Sequence, residues 1–413
     1  MHIALLIAPA LAQLGLAQTT TVTSDPALDA ELQRALAADA QASAEGQAAA
    51  KAPASTPGTP PSSTSMNPDI AFILDVALAG FSDEQPRQGG GHDPQKNGFT
   101  LQQLELALGK AVDPYLRLDA FVVFSQFGVE IEEAYATTMA LPASLQLRAG
   151  QFLTRFGRHN PTHPHAWDFA DQPFMWTQVF GAEGNRGVGL ELSYLTPLPW
   201  YVELGLAATD AAGEGTARSF WGAEDLGVQS PRDLQLTLTV KQFFPLSSAL
   251  SLLWGLSGAA GPNPSGYHNR TEIGGTDLYL RYRPIHTDDT GAFLSLTAEA
   301  LVRRRQVPGD VLRDGGGYAT LEWNWSRHWG AGARYEYGTP VWNGDGVADN
   351  DYLDPLWDGH RQRVSTAVTY WPSEFSRLRL QGSVDHTSGA DDRVWGLMLA
   401  LEVLIGAHGA HAF

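Results

Sequence analysis

Residues Leu234-Gln-Leu-Thr-Leu-Thr-Val-Lys241 alternate without a break: Leu234, Leu236, Leu238 and Val240 fall on one face, and Gln235, Thr237, Thr239 and Lys241 on the other. Successive side chains of a β-strand point to opposite sides, so a period of two reads as strand. The pattern recurs from Asn67 onward. Ile70, Phe72, Leu74, Val76 and Leu78 oppose Asp75; Leu104, Leu106 and Leu108 oppose Glu105; Leu116, Leu118, Val122 and Phe124 oppose Arg117 and Asp119. Near the end, Leu397, Leu399, Leu401, Val403 and Ile405 oppose Glu402. One face is aliphatic and the other repeatedly charged.

Alternation alone does not fix the solvent, because a soluble sandwich shows it too. Segment length and connections do more. The alternating segments run about ten to fourteen residues, enough for the 9–11 or more of a tilted bilayer crossing, whereas globular strands average nearer five or six. Short, mostly proline-bearing connections lie at 112–115, 141–144, 196–200, 245–248, 283–286, 326–329 and 371–374. Between them are longer Gly- and Asp-rich stretches near 80–97, 155–186, 209–231, 260–272, 303–315 and 338–361, with two short ones near 126–128 and 387–392. That series predicts an all-β, transmembrane antiparallel up-and-down β-barrel of about 16 strands (16–18), with tight turns at the periplasmic end. Tyr115, Trp200, Tyr201, Phe243, Phe244, Tyr282, Trp329, Tyr370, Trp371 and Phe375 crowd the turn side, as a headgroup-level aromatic girdle would. The terminal Phe413 fits the C-terminal assembly signal of such barrels.

Composition narrows the function classes. Among 413 residues, 27 Lys+Arg against 45 Asp+Glu give a net charge of −18, which excludes a dedicated phosphate-backbone binder; no nucleic-acid partner is expected. The absence of cysteine excludes disulfide frameworks, thiol catalysis and cysteine-based metal sites. No internal run reaches the roughly 18 apolar residues of a transmembrane helix. The apolar segment from Ile3 ends at Gly15-Leu16-Ala17, small residues that suit a signal-peptide cleavage site, so 1–17 is expected to direct export. Residues 18–66 are rich in Ala, Pro, Ser and Thr and read as a disordered periplasmic tether, with Leu28, Leu32 and Leu36 spaced for a short helix over 26–38. Residues 67–413 form the barrel.

A barrel of this strand number encloses an aqueous lumen, and its lining decides what passes. Parity turns Asp75, Glu105, Asp119, Glu130, Glu132, Glu191, Glu203 and Glu299 inward, together with Arg117, Arg148, Lys241, Arg281, Arg377 and Arg379. Acids outnumber bases, which predicts a mild preference for cations and cross-strand ion pairs bracing the wall. At Glu133 and Tyr135 the parity is ambiguous, as a β-bulge would make it.

The stretch Arg155-Phe-Gly-Arg-His-Asn-Pro-Thr-His-Pro-His-Ala-Trp-Asp-Phe-Ala-Asp-Gln-Pro173 opens a connection of about 30 residues, too aromatic and ionisable to stay splayed in solvent. It is expected to fold inward as the pore constriction, with Arg155, Arg158, His159, His163, His165, Asp168 and Asp171 at the narrowing. His159, His163, His165 and Asp168 are also of the ligand types that zinc takes without cysteine. The same histidines can equally cap turns and bond to the wall.

Gly150-Gln-Phe-Leu-Thr-Arg-Phe-Gly-Arg-His-Asn160 resembles the strand-to-constriction segment of phosphate-selective porins. The segments 163–173, Phe180-Gly-Ala-Glu-Gly-Asn-Arg-Gly187 and Gly406-Ala-His-Gly-Ala-His-Ala-Phe413 are similar to a proteobacterial group of zinc-regulated outer-membrane receptors. This resemblance implies a barrel and a link to zinc supply. The sequence departs from an energised receptor in showing no plug domain or TonB box, and from an anion-selective porin in lacking a lysine excess.

Asp345, Asp349, Asp351, Asp354 and Asp358 share one loop, where calcium or ion-bridged lipopolysaccharide is a candidate ligand and a solvated acidic loop the plainer reading. No Ser/His/acid constellation points to an enzyme, and no cofactor is expected beyond a zinc or calcium ion. The sequence thus predicts a porin-like channel for small hydrophilic solutes, divalent cations such as zinc among them. A gated metal or ligand receptor driven by a periplasmic energising partner, and a structural or adhesive surface barrel, are its alternatives. Expected partners are outer-membrane lipid, lipopolysaccharide, the barrel assembly machinery and, by analogy with barrels of this size, two further copies in a homo-trimer.

Overall fold

The computed structural model describes residues 67–83, 88–125, 128–213, 215–224, 227–266, 268–284, 291–343, 359–389 and 393–406. The export segment 1–17, the tether 18–66, the acidic loop from Asp345 to Asp358 and the terminal Phe413 lie outside them.

The strands are β1 (Asp69–Phe81), β2 (Gly98–Ala111), β3 (Leu116–Phe124), β4 (Val129–Thr138), β5 (Leu145–Leu153), β6 (Arg186–Leu195), β7 (Tyr201–Asp210) and β8 (Leu234–Pro245). They continue with β9 (Leu250–Pro262), β10 (Arg270–Tyr282), β11 (Phe293–Val307), β12 (Asp310–Asn324), β13 (Trp329–Gly338), β14 (Arg361–Ser373), β15 (Ser376–Thr387) and β16 (Val394–Gly406). Each pairs antiparallel with its sequence neighbours, and β1 closes on β16 through pairs such as Asp75 with Glu402. The result is the expected 16-strand up-and-down barrel. Closure satisfies every strand edge, the condition for carrying sheet through hydrocarbon.

Burial is inverted relative to a soluble protein. Leu238 is 60% exposed while its neighbour Thr237 is 2% exposed, and Leu397, Leu399, Leu401, Val403 and Ile405 all face outward. Asp75, Glu105, Glu191, Asp277 and Glu299 are buried inside. The aliphatic face therefore meets lipid and the charged face meets the lumen. No described helix is long and apolar enough to cross a membrane. Tyr115, Trp200, Tyr201, Tyr282, Trp329 and Phe375 are exposed at the turn end, where the Trp329 and Tyr370 rings stand 4.6 Å apart.

Two details change the sequence reading. The 303–315 stretch, expected as a long loop, is strand: β11 and β12 pair up to Val307 with Asp310, leaving a two-residue turn. Arg303 and Arg305 are consequently buried wall residues, and Arg303 pairs with Asp314 at 2.6 Å. Gly315, Gly316 and Gly317 here are not loop punctuation; a Cβ on Gly316 would lie 2.3 Å from the Tyr337 carbonyl oxygen and 2.7 Å from Met175 Sδ. The strand must be bare for another element to pass. The second detail is a register shift in the β3–β4 ladder, where Phe121 opposes Glu133 and Val122 opposes Ile131. Glu132 is the extra residue, and Glu132 and Glu133 are consecutive yet both buried.

Candidate functional site: the inward loop

The chain leaves β5 at Leu153 and returns at Arg186, and the intervening loop lies against the inner wall. Its first turn needs Gly157, which sits at φ +63° with its missing Cβ 2.3 Å from Glu299 Oε2. That turn aims two amides at one carboxylate: Arg158 N–H donates to Glu299 Oε2 at 2.8 Å and His159 N–H to Oε1 at 2.7 Å. Tyr318 donates its hydroxyl to the same Oε1 at 2.5 Å. On the other side of the turn Lys241 Nζ donates to the Gly157 carbonyl at 2.6 Å and pairs with Asp277. Preceding it, Arg155 spans Glu191, at 2.9 Å, and Glu203, while Arg148 also holds Glu191 at 3.0 Å.

Further along, a one-turn 3-10 helix, Pro164–Ala166, places His163 and His165 on the β2–β4 sector. His163 Nε2 lies 2.9 Å from Glu133 Oε2, and its Nδ1 lies 3.3 Å from Glu132 and 3.6 Å from Glu105. His165 stacks beside it at 5.6 Å and reaches Glu105 at 3.3 Å. Burial opposes charge on His163, yet Glu132 and Glu105 carry its pKa well above the usual 6.5. Arg377 grips the backbone carbonyls of His165 and Trp167 at 2.7 and 3.0 Å, and also pairs with Glu402.

Asp171 anchors the far side. Its carboxylate meets Arg334 at 2.6 Å and Arg363 at 3.3 Å, and accepts from Gln381 at 2.7 Å. Burial would raise its pKa, but Arg334 and Arg363 hold it down at about 2. Both guanidiniums converge again on Glu336, which caps the loop helix by accepting the Phe174 amide at 2.7 Å. That helix, α1 (Phe174–Phe180), has every residue buried. Met175, Trp176, Val179 and Phe180 pack with Phe156, Phe220 and the inward-facing Ala259, Ile273 and Leu301. The loop is thus a folded element with its own apolar core on the β9–β11 sector and charged anchors elsewhere.

His159 and Asp168 take other places. His159 stacks on Trp167 at 5.0 Å, and burial, aided by Arg334, drops its pKa to about 3. Asp168 is exposed to the lumen. Its charged surroundings are Arg377, Arg379, Arg158 and Arg334, and with Arg158, His159, Trp167, Tyr279 and Glu322 it lines a cavity of about 110 Å³. Among the described residues, the His and acid groups whose donor atoms converge are Glu105/Glu132/His163 and His92/Glu132/Glu183. Neither includes His159 or Asp168. His92 and Glu183 were not legible as site residues; they meet at 3.3 Å from two different loops.

The remaining wall residues form a paired lining. Asp75 accepts from Gln103, Arg117 holds Asp119 near the tight-turn end, Glu130 pairs with Arg186, and Arg281 lies over Phe293. Arg379 lies 3.8 Å from Glu402. Arg303, Arg305 and Arg361 also face inward, as do the acids Asp314 and Glu133.

No family model matches the sequence. An uncharacterized protein of Aquifex aeolicus (strain VF5) is 32% identical over 397 residues, covering 85% of this chain and 81% of that one. The chain belongs to the family of this Aquifex protein. Solved structures share the architecture at low identity. The outer membrane channel DcaP of Acinetobacter baumannii matches 82% of this chain and 98% of its own with a TM-score of 0.54 and 13% identity. An anion-selective porin from Comamonas acidovorans matches 82% and 99% at 0.52 and 12%. The trimer form of OmpT from Vibrio cholerae matches 82% and 99% at 0.50 and 11%. The chain therefore carries a porin-type barrel fold.

Proposed function

We propose that the protein is an outer-membrane channel of porin type that passes small hydrophilic solutes, with the 155–186 loop setting its bore and preference. The observation that supports this most is the loop itself, anchored by Glu299, Asp171 and Glu336 inside a barrel whose inner face is charged and whose outer face is aliphatic. A fixed inward segment narrows a wide lumen without filling it with mobile chain, and the guanidiniums and carboxylates around Asp168 supply the field that a passing ion meets. The names of the channel and porin neighbours agree with this role.

Divalent cations such as zinc are the finer solute proposal, supported by the imidazole and carboxylate cluster buried between the loop and the wall at His163, His165, Glu105 and Glu132. Outer-membrane residence, export through 1–17, a tether over 18–66, catalytic inactivity and a trimeric assembly complete the proposal. The gated-receptor reading draws on the same anchors, since a loop so firmly held needs a trigger if it is to move.

Ion current through purified, refolded protein in a planar bilayer tests the reading. Steady ohmic steps in symmetric salt are expected. Silence from a protein shown to be a folded barrel favours the gated receptor and overturns the open channel.

A further inference from the structure

We propose that Glu105, Glu132 and His163 form a binding site for a divalent first-row transition ion, of the zinc class, that clips the inward loop to strands β2 and β4. The claim goes beyond conduction: it concerns a resident ion and stands or falls on metal binding, so its failure leaves the channel reading intact.

The distances carry the argument. A charge-assisted N–H···O bond closes to about 2.7–2.9 Å. His163 Nδ1 instead stands 3.3 Å from Glu132 Oε2 and 3.6 Å from Glu105 Oε2. Those spacings match the edge of a tetrahedron around an ion with ligands at about 2.0–2.2 Å, which is about 3.4 Å. Consistent with this, His163 Nδ1, Glu132 Oε2 and both Glu105 oxygens are buried without a hydrogen bond. One donor atom from each member of the trio lies within 4.8 Å of the other two.

The outer shell is in place as well. A metal-bound imidazole usually gives its other N–H to a carboxylate, which fixes the ring and the tautomer. His163 Nε2 does so to Glu133 Oε2 at 2.9 Å, and Glu133 Oε1 is held in turn by the Leu153 amide at 2.6 Å. The bulge at Glu132 makes this possible, because it turns two consecutive glutamates inward, one as ligand and one as orienting group. The Phe121 ring packs against the imidazole at 4.5 Å.

Charge balance points the same way. Glu105, Glu132 and Glu133 crowd His163, and the ion pairs they make among the described residues are with histidines rather than Lys or Arg. A dication neutralises what one imidazole cannot. Across Glu132, His92 and Glu183 complete an adjoining donor group that shares this carboxylate. His nitrogen with carboxylate oxygen suits zinc and its neighbours in the first transition row better than magnesium or calcium.

The test is zinc titration of the full-length refolded protein by calorimetry, after chelator treatment, with Co²⁺ absorption as a second probe. Wild type should bind Zn²⁺, Glu132→Gln and His163→Ala should each lose about 100-fold or more in affinity, and Glu133→Gln should lose about 10–100-fold. His328→Ala, on a periplasmic turn, should bind as wild type does. X-ray absorption of zinc-loaded wild type gives a readout that needs no variant: imidazole scattering plus oxygen ligands at about 2.0–2.2 Å is expected. Absence of zinc binding by wild type, binding unchanged in both ligand variants, or a spectrum without imidazole would overturn the site.

Discussion

Asp171 on the inward loop and Arg334 on strand β13 lie 2.6 Å apart, both fully enclosed, and are separated by 163 positions in sequence. Asp171 shares Arg334 and Arg363 with Glu336, so two carboxylates and two guanidiniums neutralise one another where the loop meets the wall. Removing one member leaves the rest charged and dry. Such truncations typically cost about 3–5 kcal/mol, far more than the net worth of the intact pair.

Arg334→Ala should therefore lower stability by about 3 kcal/mol or more. The urea midpoint of the refolded barrel, followed by tryptophan fluorescence, reads this directly. A change within about 0.5 kcal/mol, the range of an ordinary surface substitution, would contradict the described network.

Gly157→Ala should destabilise by about 1–3 kcal/mol, because φ +63° is strained for alanine and the new Cβ meets Glu299 Oε2. The Glu299 contacts to the Arg158 and His159 amides would open. Gly128→Ala is the control: nothing lies within 4 Å of its added Cβ, so it should be nearly neutral. Equal midpoints for the two variants would remove the role given to this turn.

Leu238→Arg should cost about 2–4 kcal/mol of barrel stability if residue 238 faces the middle of the bilayer. Leu238 lies midway along β8 and is exposed, whereas Thr237 and Thr239 turn inward. Folding yield into lipid vesicles across a denaturant series measures this. An arginine tolerated there would place the aliphatic face somewhere other than lipid.

Acid should loosen the loop. His159 has its pKa depressed from 6.5 to about 3 by burial and by Arg334, so the unfolded state binds the proton more readily. Its contribution is fully present above pH 6.5 and is lost as pH falls towards and through 3. Asp171 acts lower, over the interval from 3.8 down to about 2. Fluorescence of Trp167 and Trp176, which stand 5.0 and 5.9 Å from His159, should change over the upper interval. His159→Phe keeps the stacking and should flatten that limb; an unchanged limb would assign it to another group.

The barrel was legible because its physics is local. Alternation at Leu234 to Lys241 needs only neighbouring residues, and the tight turns mark themselves by proline, so strand number and facing could be read directly. The loop anchors were not legible, since Asp171 gains meaning only from Arg334 and Arg363, and His163 only from Glu132 and Glu133. Glu133 was ambiguous for a physical reason: a bulge breaks the period that parity depends on. The 303–315 stretch misled because its glycines serve packing against Met175 and the neighbouring strands, and glycine signals both turns and close approach. His159 and Asp168 lie on the loop but join aromatic and arginine surroundings instead of the His163 group.

The natural absence of cysteine makes the decisive measurement clean. Asp168 is exposed to the lumen beside Arg158 and Arg334, so a single Asp168→Cys variant, reconstituted in a planar bilayer, can be modified during recording by a charged thiol reagent. If the inward loop sets the bore, each open channel should step to a lower conductance on modification, while a cysteine at the lipid-facing Leu238 should leave the current unchanged. Stoichiometric labelling of Asp168→Cys, verified by mass, with no change in conductance would contradict the account.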